Sequence, residues 1–166
     1  MRTKDIVQIS LLSASLTAGK LALSFIPNVE IVSFLFIMYT IHFGFKKTSL
    51  ASVLFVTTEM FIYGFGTWIM VYYVIWFLLV VVTAILKNRI QSEVGWGIFS
   101  AGFGLIFGLL FAFSESFFYG IAYGIQYWIR GIPFDALHMV SNYIVMIILY
   151  KPISAVFKRY IVKNVN

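Results

Sequence analysis

The chain has 166 residues, of which 61% are apolar and 11% charged, with a mean hydropathy of +0.96. A water-soluble domain carries about 25% charged and about 45–50% apolar residues, so an aqueous exterior is excluded for most of the surface and lipid is the expected solvent. The absence of cysteine excludes disulfides and thiolate metal sites, and the net charge of +6 is placed for a membrane rather than for nucleic acid.

In chain order, the charged start Met1-Arg2-Thr3-Lys4-Asp5 resembles that of a signal peptide. The apolar run after it, about 6–26, is long enough to cross a bilayer and has no small-x-small cleavage site, so a retained helix is expected. Within it Ser10, Ala14, Ala18 and Ala22 recur every four residues as a small-residue ridge. Such a ridge lets helices approach closely in lipid, either a partner protein's or a neighbour's in the same chain. Lys20 lies about 200° around the helix from Ala18 and faces away from it.

Further apolar stretches follow at about 30–45, 49–66, 68–86, 94–113 and 134–150. They are separated by Pro27-Asn28, Lys46-Lys47, Gly64-Phe65-Gly66, Lys87-Asn88-Arg89 and Arg130-Gly131-Ile132-Pro133. Gly95, Gly97, Gly102, Gly104 and Gly108 give the fifth helix a second close-packing surface, expected to serve within the chain. The aromatic segment 115–129 is short for a crossing and is expected outside, as an ordered loop or an extension of the fifth helix. The expected fold is therefore an all-α integral membrane protein: one domain, 1–166, of six transmembrane helices with an aromatic external loop before the last.

With six helices, Arg2, Lys4, Lys46, Lys47, Lys87, Arg89, Lys151, Lys158, Arg159 and Lys163 share one side, ten of the twelve Lys and Arg. Positive residues stay cytoplasmic, so both termini are expected there; a seventh span at 115–129 would move the last four cations outside. Lys20, Glu30, Glu59, Glu115, Arg130 and Asp135 then gather toward the outer end. Ionisable groups within a membrane cost about 2.5–3.5 kcal/mol at a helix centre and tend to line a cavity or pathway, which points to an outward-opening pocket.

Each candidate has a plainer alternative. Lys20 reaches either the pocket or the headgroups. Glu59, with Tyr63 one turn further on, either binds a ligand or neutralises Lys20. Asp135, His138 and Asn142 follow i, i+3, i+7 spacing and share an inward face. Asp135 is also a candidate N-cap after Pro133, and His138 and Asn142 are candidates for interhelical hydrogen bonds. Asn28 and Glu30 flank the first outer turn, and His42, near a cytoplasmic helix end, is assigned a structural role. Tyr119, Tyr123, Gln126, Tyr127 and Trp128, beside Arg130, form either an interfacial belt or a stacking lid over a flat heteroaromatic ligand.

No phosphate-binding G-x-x-x-x-G-K-[S/T] loop, H-E-x-x-H pair or serine nucleophile elbow occurs, so a non-catalytic role without cofactor or metal is expected. Six short helices, the Ala14/Ala18/Ala22 ridge, and the stretches IPNVEIV (26–32) and YWIRGIPFDALHMVSNYIV (127–145) together resemble the S components of energy-coupling factor importers. The resemblance implies a multi-pass protein of the bacterial cytoplasmic membrane that captures a vitamin in an outward pocket. It further implies that Ala14, Ala18 and Ala22 contact a transmembrane coupling subunit served by two ATPase subunits. IPNVEIV and GIPFD are most similar to members associated with hydroxymethylpyrimidine or similar heteroaromatics, with cobalamin and pantothenate as alternatives. A reading of another class is an ion-coupled carrier or channel working alone through Glu59.

Overall fold

A computed structural model describes residues 1–27 and 29–165. Among them every regular element is an α-helix: α1 (Thr3–Leu23), α2 (Val32–Phe43), α3 (Phe45–Tyr63), α4 (Thr67–Leu86), α5 (Glu93–Tyr119) and α6 (Ile121–Val165). This is the fold lipid favours, because a helix satisfies its own backbone where no water can.

Four helices, α1, α4, α5 and α6 as far as Ile161, are long and apolar enough to cross a bilayer. α2 has 12 residues, about 18 Å of helix against a hydrocarbon core of about 30 Å. It is apolar on all sides and occupies the middle of the bundle, as such a helix must. Phe34, Phe36, Ile37, Met38 and Tyr39 are all buried. Phe36 stacks on Trp76 of α4 at 5.1 Å and meets Phe55 of α3 edge-on at 5.8 Å. α3 is long enough but polar, and its hydroxyls turn inward on their own helix: Thr57 donates to the Val53 carbonyl and Thr58 to that of Leu54, the usual way a helix hides hydroxyls from an apolar surrounding.

Polar ties show how the helices alternate in direction. At one end Lys47 of α3 pairs with Asp5 of α1 at 2.9 Å, and Lys151 of α6 with Glu93 of α5 at 2.6 Å; His42 of α2 meets Ser154 of α6 at 3.2 Å. Lys20, Glu30, Glu59 and His138 meet toward the opposite end. The glycine surface of α5 packs against α6: a Cβ on Gly104 would stand 2.9 Å from the His138 backbone, and one on Gly97 3.0 Å from the Tyr143 ring. Gly102 faces open space instead, and Gly95 lies against Ile90 and Ser92.

Two sequence expectations are corrected. Of the two expectations for the aromatic segment 115–129, the loop is overturned and the extension of the fifth helix holds as far as Tyr119: the segment is the last turn of α5 and the first turns of α6, joined at Gly120 alone, whose φ of 92° suits a residue without a side chain. Nor does Arg130-Gly131-Ile132-Pro133 break the chain, since α6 runs through Pro133 and Pro152. An internal proline costs about 3 kcal/mol, but unravelling the turn in lipid would expose several backbone groups at several kcal/mol each. Close packing also holds both flanks of Pro133 to α5: Asp135 and His138 after it lie on Gly108 and Gly104, and Gly124 before it lies on Ala112 and Ser116.

Candidate ligand-binding site

The acidic residues of the Gly120 end fall into different environments. Glu59 is fully buried on α3 and pairs with Lys20 of α1. The Lys20 ammonium lies 4.5 Å from the centre of the Tyr63 ring and 5.2 Å from that of Tyr72, close enough for cation–π attraction to both. Lys20, Glu59 and Tyr63 thus form one self-contained knot between α1 and α3, roofed by α4.

Glu30, in the connection before α2, meets His138 of α6 at 3.1 Å and accepts the Ser33 backbone N–H at 2.8 Å. Burial pushes the Glu30 carboxyl up, but the hydrogen bond and charge of His138, with the bonds from Ser33, outweigh it and hold the group below the ordinary carboxylate range. The His138 ring also packs edge-on against Phe107 at 5.0 Å. Asn142, one turn deeper, donates to the Ser100 carbonyl at 3.2 Å and is buried.

Asp135 differs from both in having no ion pair among the described residues. It is 6% exposed. One carboxylate oxygen accepts the Gly108 backbone N–H at 2.9 Å, while the other, Oδ2, has no hydrogen-bond partner in the protein. Gly108 makes the approach possible, because a Cβ there would stand 2.5 Å from that same oxygen.

Asp135 lies in the wall of a cavity of about 610 Å³ between α4, α5 and α6. Trp68 and Tyr72 line it from α4, Phe107, Gly108 and Phe111 from α5, and Tyr123, Gln126, Tyr127, Arg130, Gly131 and Phe134 from α6. The volume lies within the range of about 300–1,000 Å³ typical of small-molecule sites, which are mostly apolar with a few polar groups. The rings are braced from behind: Tyr72 packs edge-on against Trp68, Trp76 and Phe111, and Phe107 tilts against Phe111 at 5.2 Å. Among the described residues no three His, Asp or Glu side chains come together as a metal site.

Of the residues singled out in the sequence, the fold brings Tyr123, Gln126, Tyr127, Arg130 and Asp135 to this cavity. Glu59, His138 and Asn142 are buried, Lys20 and Glu30 half-buried and Tyr63 exposed, and none of them lines it; Asn28 lies outside the described residues. Tyr119 packs on Tyr123 at 5.2 Å beside the rim, and Trp128 is absent from the lining. Sequence reading missed the opposite wall. Its signal was present: Trp68, Tyr72 and Trp76 on α4, and Phe103, Phe107 and Phe111 on α5, each recur every four residues, two aromatic stripes made to face one another.

On α1 the ridge residues Ser10, Ala14, Ala18 and Ala22 are all exposed, while Leu12, Ser13 and Leu16 are buried. The ridge is therefore not used for packing within the chain. No protein-family model, no curated protein and no solved structure matches this chain.

Proposed function

We propose that this chain is the membrane-embedded substrate-capture subunit of an energy-coupling factor importer, and that it binds a small flat heteroaromatic vitamin or precursor, of hydroxymethylpyrimidine type, in the α4–α5–α6 cavity. The observation that carries the reading is the cavity itself: aromatic rings from three helices line a half-open space of about 610 Å³ with one buried carboxylate and one arginine. Stacking between such rings suits a planar guest. The volume suits a one- or two-ring molecule and is too small to enclose a cobalamin.

In this reading all six helices belong to the membrane-embedded body, with α2 and the polar α3 shielded by the rest. Both termini and the basic end face the cytoplasm, following the positive-inside rule. The exposed ridge Ala14, Ala18 and Ala22 supports docking on a transmembrane coupling subunit, whose two partner ATPases supply the energy. The pairing of Glu59 with Lys20 weighs against a lone carrier working through Glu59, because its charge is already matched.

The test has two halves. Purified protein in lipid nanodiscs is titrated with hydroxymethylpyrimidine and followed by tryptophan fluorescence, which Trp68 in the cavity wall should report. Uptake is then measured in cells supplying the coupling subunit and ATPases. Ala14→Trp and Ala18→Trp should abolish uptake and leave binding intact. Uptake that survives both changes, or gradient-driven flux by the chain alone in liposomes, would end the proposal.

A further inference from the structure

The chain holds six acidic residues, and at its basic end the two of them present, Asp5 and Glu93, each hold a lysine, Lys47 and Lys151. Lys87, just after α4, and Lys158, late in α6, have no ion pair among the described residues. Both line one half-open cavity of about 430 Å³, which Lys151, Glu93, Trp96 and Tyr150 line with them. Lys87 is half-buried, and Trp96 is buried. Like charges around a concave space with low-dielectric walls concentrate a positive field in it, and an anion relieves their repulsion. The two smaller hollows at this end differ, because both have in their walls Asp5, which meets Arg2 as well as Lys47.

A second, apolar hollow adjoins the first. α4 and α5 touch only sparingly, and between them lies a cleft of about 280 Å³ lined by Leu78, Val82, Ile98, Phe99 and Ile106. Gly102 leaves this cleft open, since a Cβ there would meet nothing within 4 Å. One ring contact joins the two hollows: Trp96 of the basic cavity packs edge-on against Phe99 of the cleft at 5.7 Å. Along α4, Val82 precedes Lys87 by about 7.5 Å, so the charged space and the apolar one are offset along the helix axis as the headgroup and chains of a lipid are.

From this we infer that the basic cavity binds the phosphate of an anionic phospholipid through Lys87 and Lys158, with one acyl chain of the same lipid lying in the α4–α5 cleft. A phosphodiester spreads its charge over oxygens that several ammonium groups can approach together, and lysine, a point charge on a flexible stem, needs no fixed angle to do so. Trp96 and Tyr150 suit the layer where headgroups give way to chains, and basic pockets between membrane helices take anionic headgroups. A zwitterionic lipid brings its own cation and would leave both lysines unmatched. The site lies at the opposite end of the bundle from Asp135, so it stands whatever the α4–α5–α6 cavity takes.

The experiment titrates the full chain in detergent micelles with phosphatidylglycerol and with phosphatidylcholine of the same chains, and counts bound lipid by native mass spectrometry. Phosphatidylglycerol should bind at least about tenfold more tightly, the scale set by two lysines facing one anionic headgroup. Lys87→Gln combined with Lys158→Gln should remove most of that preference. Arg89→Gln takes a charge from an exposed position of the same connection, outside the cavity lining, and should keep it. Gly102→Phe, which fills the cleft, should weaken both lipids severalfold and leave their ratio unchanged. Equal binding of the two lipids by the wild type overturns the inference, and so does an equal loss in Arg89→Gln, which would mean surface charge alone. Full affinity in Gly102→Phe overturns the placement of the chain. Soluble glycerol 3-phosphate separates the sources of the phosphate: in large excess it should not displace bound phosphatidylglycerol, and if it does, the occupant is a free phosphate and the lipid falls. The comparison of lipids on the wild type needs no variant, so the test holds even where a substituted chain does not fold.

Discussion

Glu59 and Asp135 are both buried carboxylates toward the same end of the bundle, yet only one of them has an ion partner. Glu59 is closed off: Lys20 matches its charge, and Tyr63 and Tyr72 cover the ammonium. Asp135 has no ion pair among the described residues: it is anchored by the Gly108 backbone N–H and forms part of a cavity wall. Each leaves one oxygen without a hydrogen-bond partner, Glu59 Oε1 and Asp135 Oδ2, so what separates them is the matching cation: a buried charge paired across two helices is a fastening.

The sharpest way to break this comparison is Lys20→Met. It strands a fully buried carboxylate and should lower stability by about 3–5 kcal/mol, read as denaturant unfolding in mixed micelles. Lys20→Met combined with Glu59→Leu should recover most of the loss. A mild effect of the single change would make the knot no more structural than the cavity.

Gly104→Leu should come next, at about 1–3 kcal/mol, because its Cβ would meet the His138 backbone rather than a yielding side chain. Gly102→Leu, facing open space, is the control and should be close to neutral in the same melt.

Glu30→Gln should cost about 1–2 kcal/mol at neutral pH, with a pH dependence of defined sign. The folded carboxyl lies below its ordinary value of 4.5, so its contribution is fully present above that value and is lost as the pH falls through the depressed one. The gap between wild type and variant should stay constant from pH 7 to about pH 5 and close only in stronger acid. A gap that closes near pH 6 would assign the tie to another group.

The smallest effect belongs to Asp135→Asn, which should change stability by less than about 1 kcal/mol, since one of its oxygens makes no bond within the protein. A large loss in this variant would place Asp135 among the fastenings.

Much of this was legible in the residues. The i, i+3, i+7 spacing of Asp135, His138 and Asn142 fixed an inward face of α6, and all three are buried there, because helical periodicity is a local property. The Lys20–Glu59 pair stood in the sequence as one of two alternatives, and choosing between them required knowing that α1 and α3 are neighbours. The Glu30–His138 tie joins positions 108 apart, and nothing local announces it. Pro133 misled for another reason: its cost is local, while the packing that outweighs it is spread along α5. The aromatic stripes of α4 and α5 were readable as spacing, but in a chain with 18 Phe and 10 Tyr spacing alone does not separate a cavity wall from a lipid-facing belt.

The one-residue joint at Gly120 has a mechanical consequence. α5 and α6 form by far the most extensive helix pair, whereas α4 touches α5 only sparingly and leans on α2 and α3. Two sides of the hollow are thus a single rigid leaf, and the third, carrying Trp68 and Tyr72, hangs from the other half of the molecule. Tyr72, on that third side, lies beneath the Lys20 ammonium. Lys20 stands on the same helix as the exposed alanine ridge, on its opposite flank, so the cavity wall at Tyr72 is one side chain away from the helix that leaves its far surface uncovered.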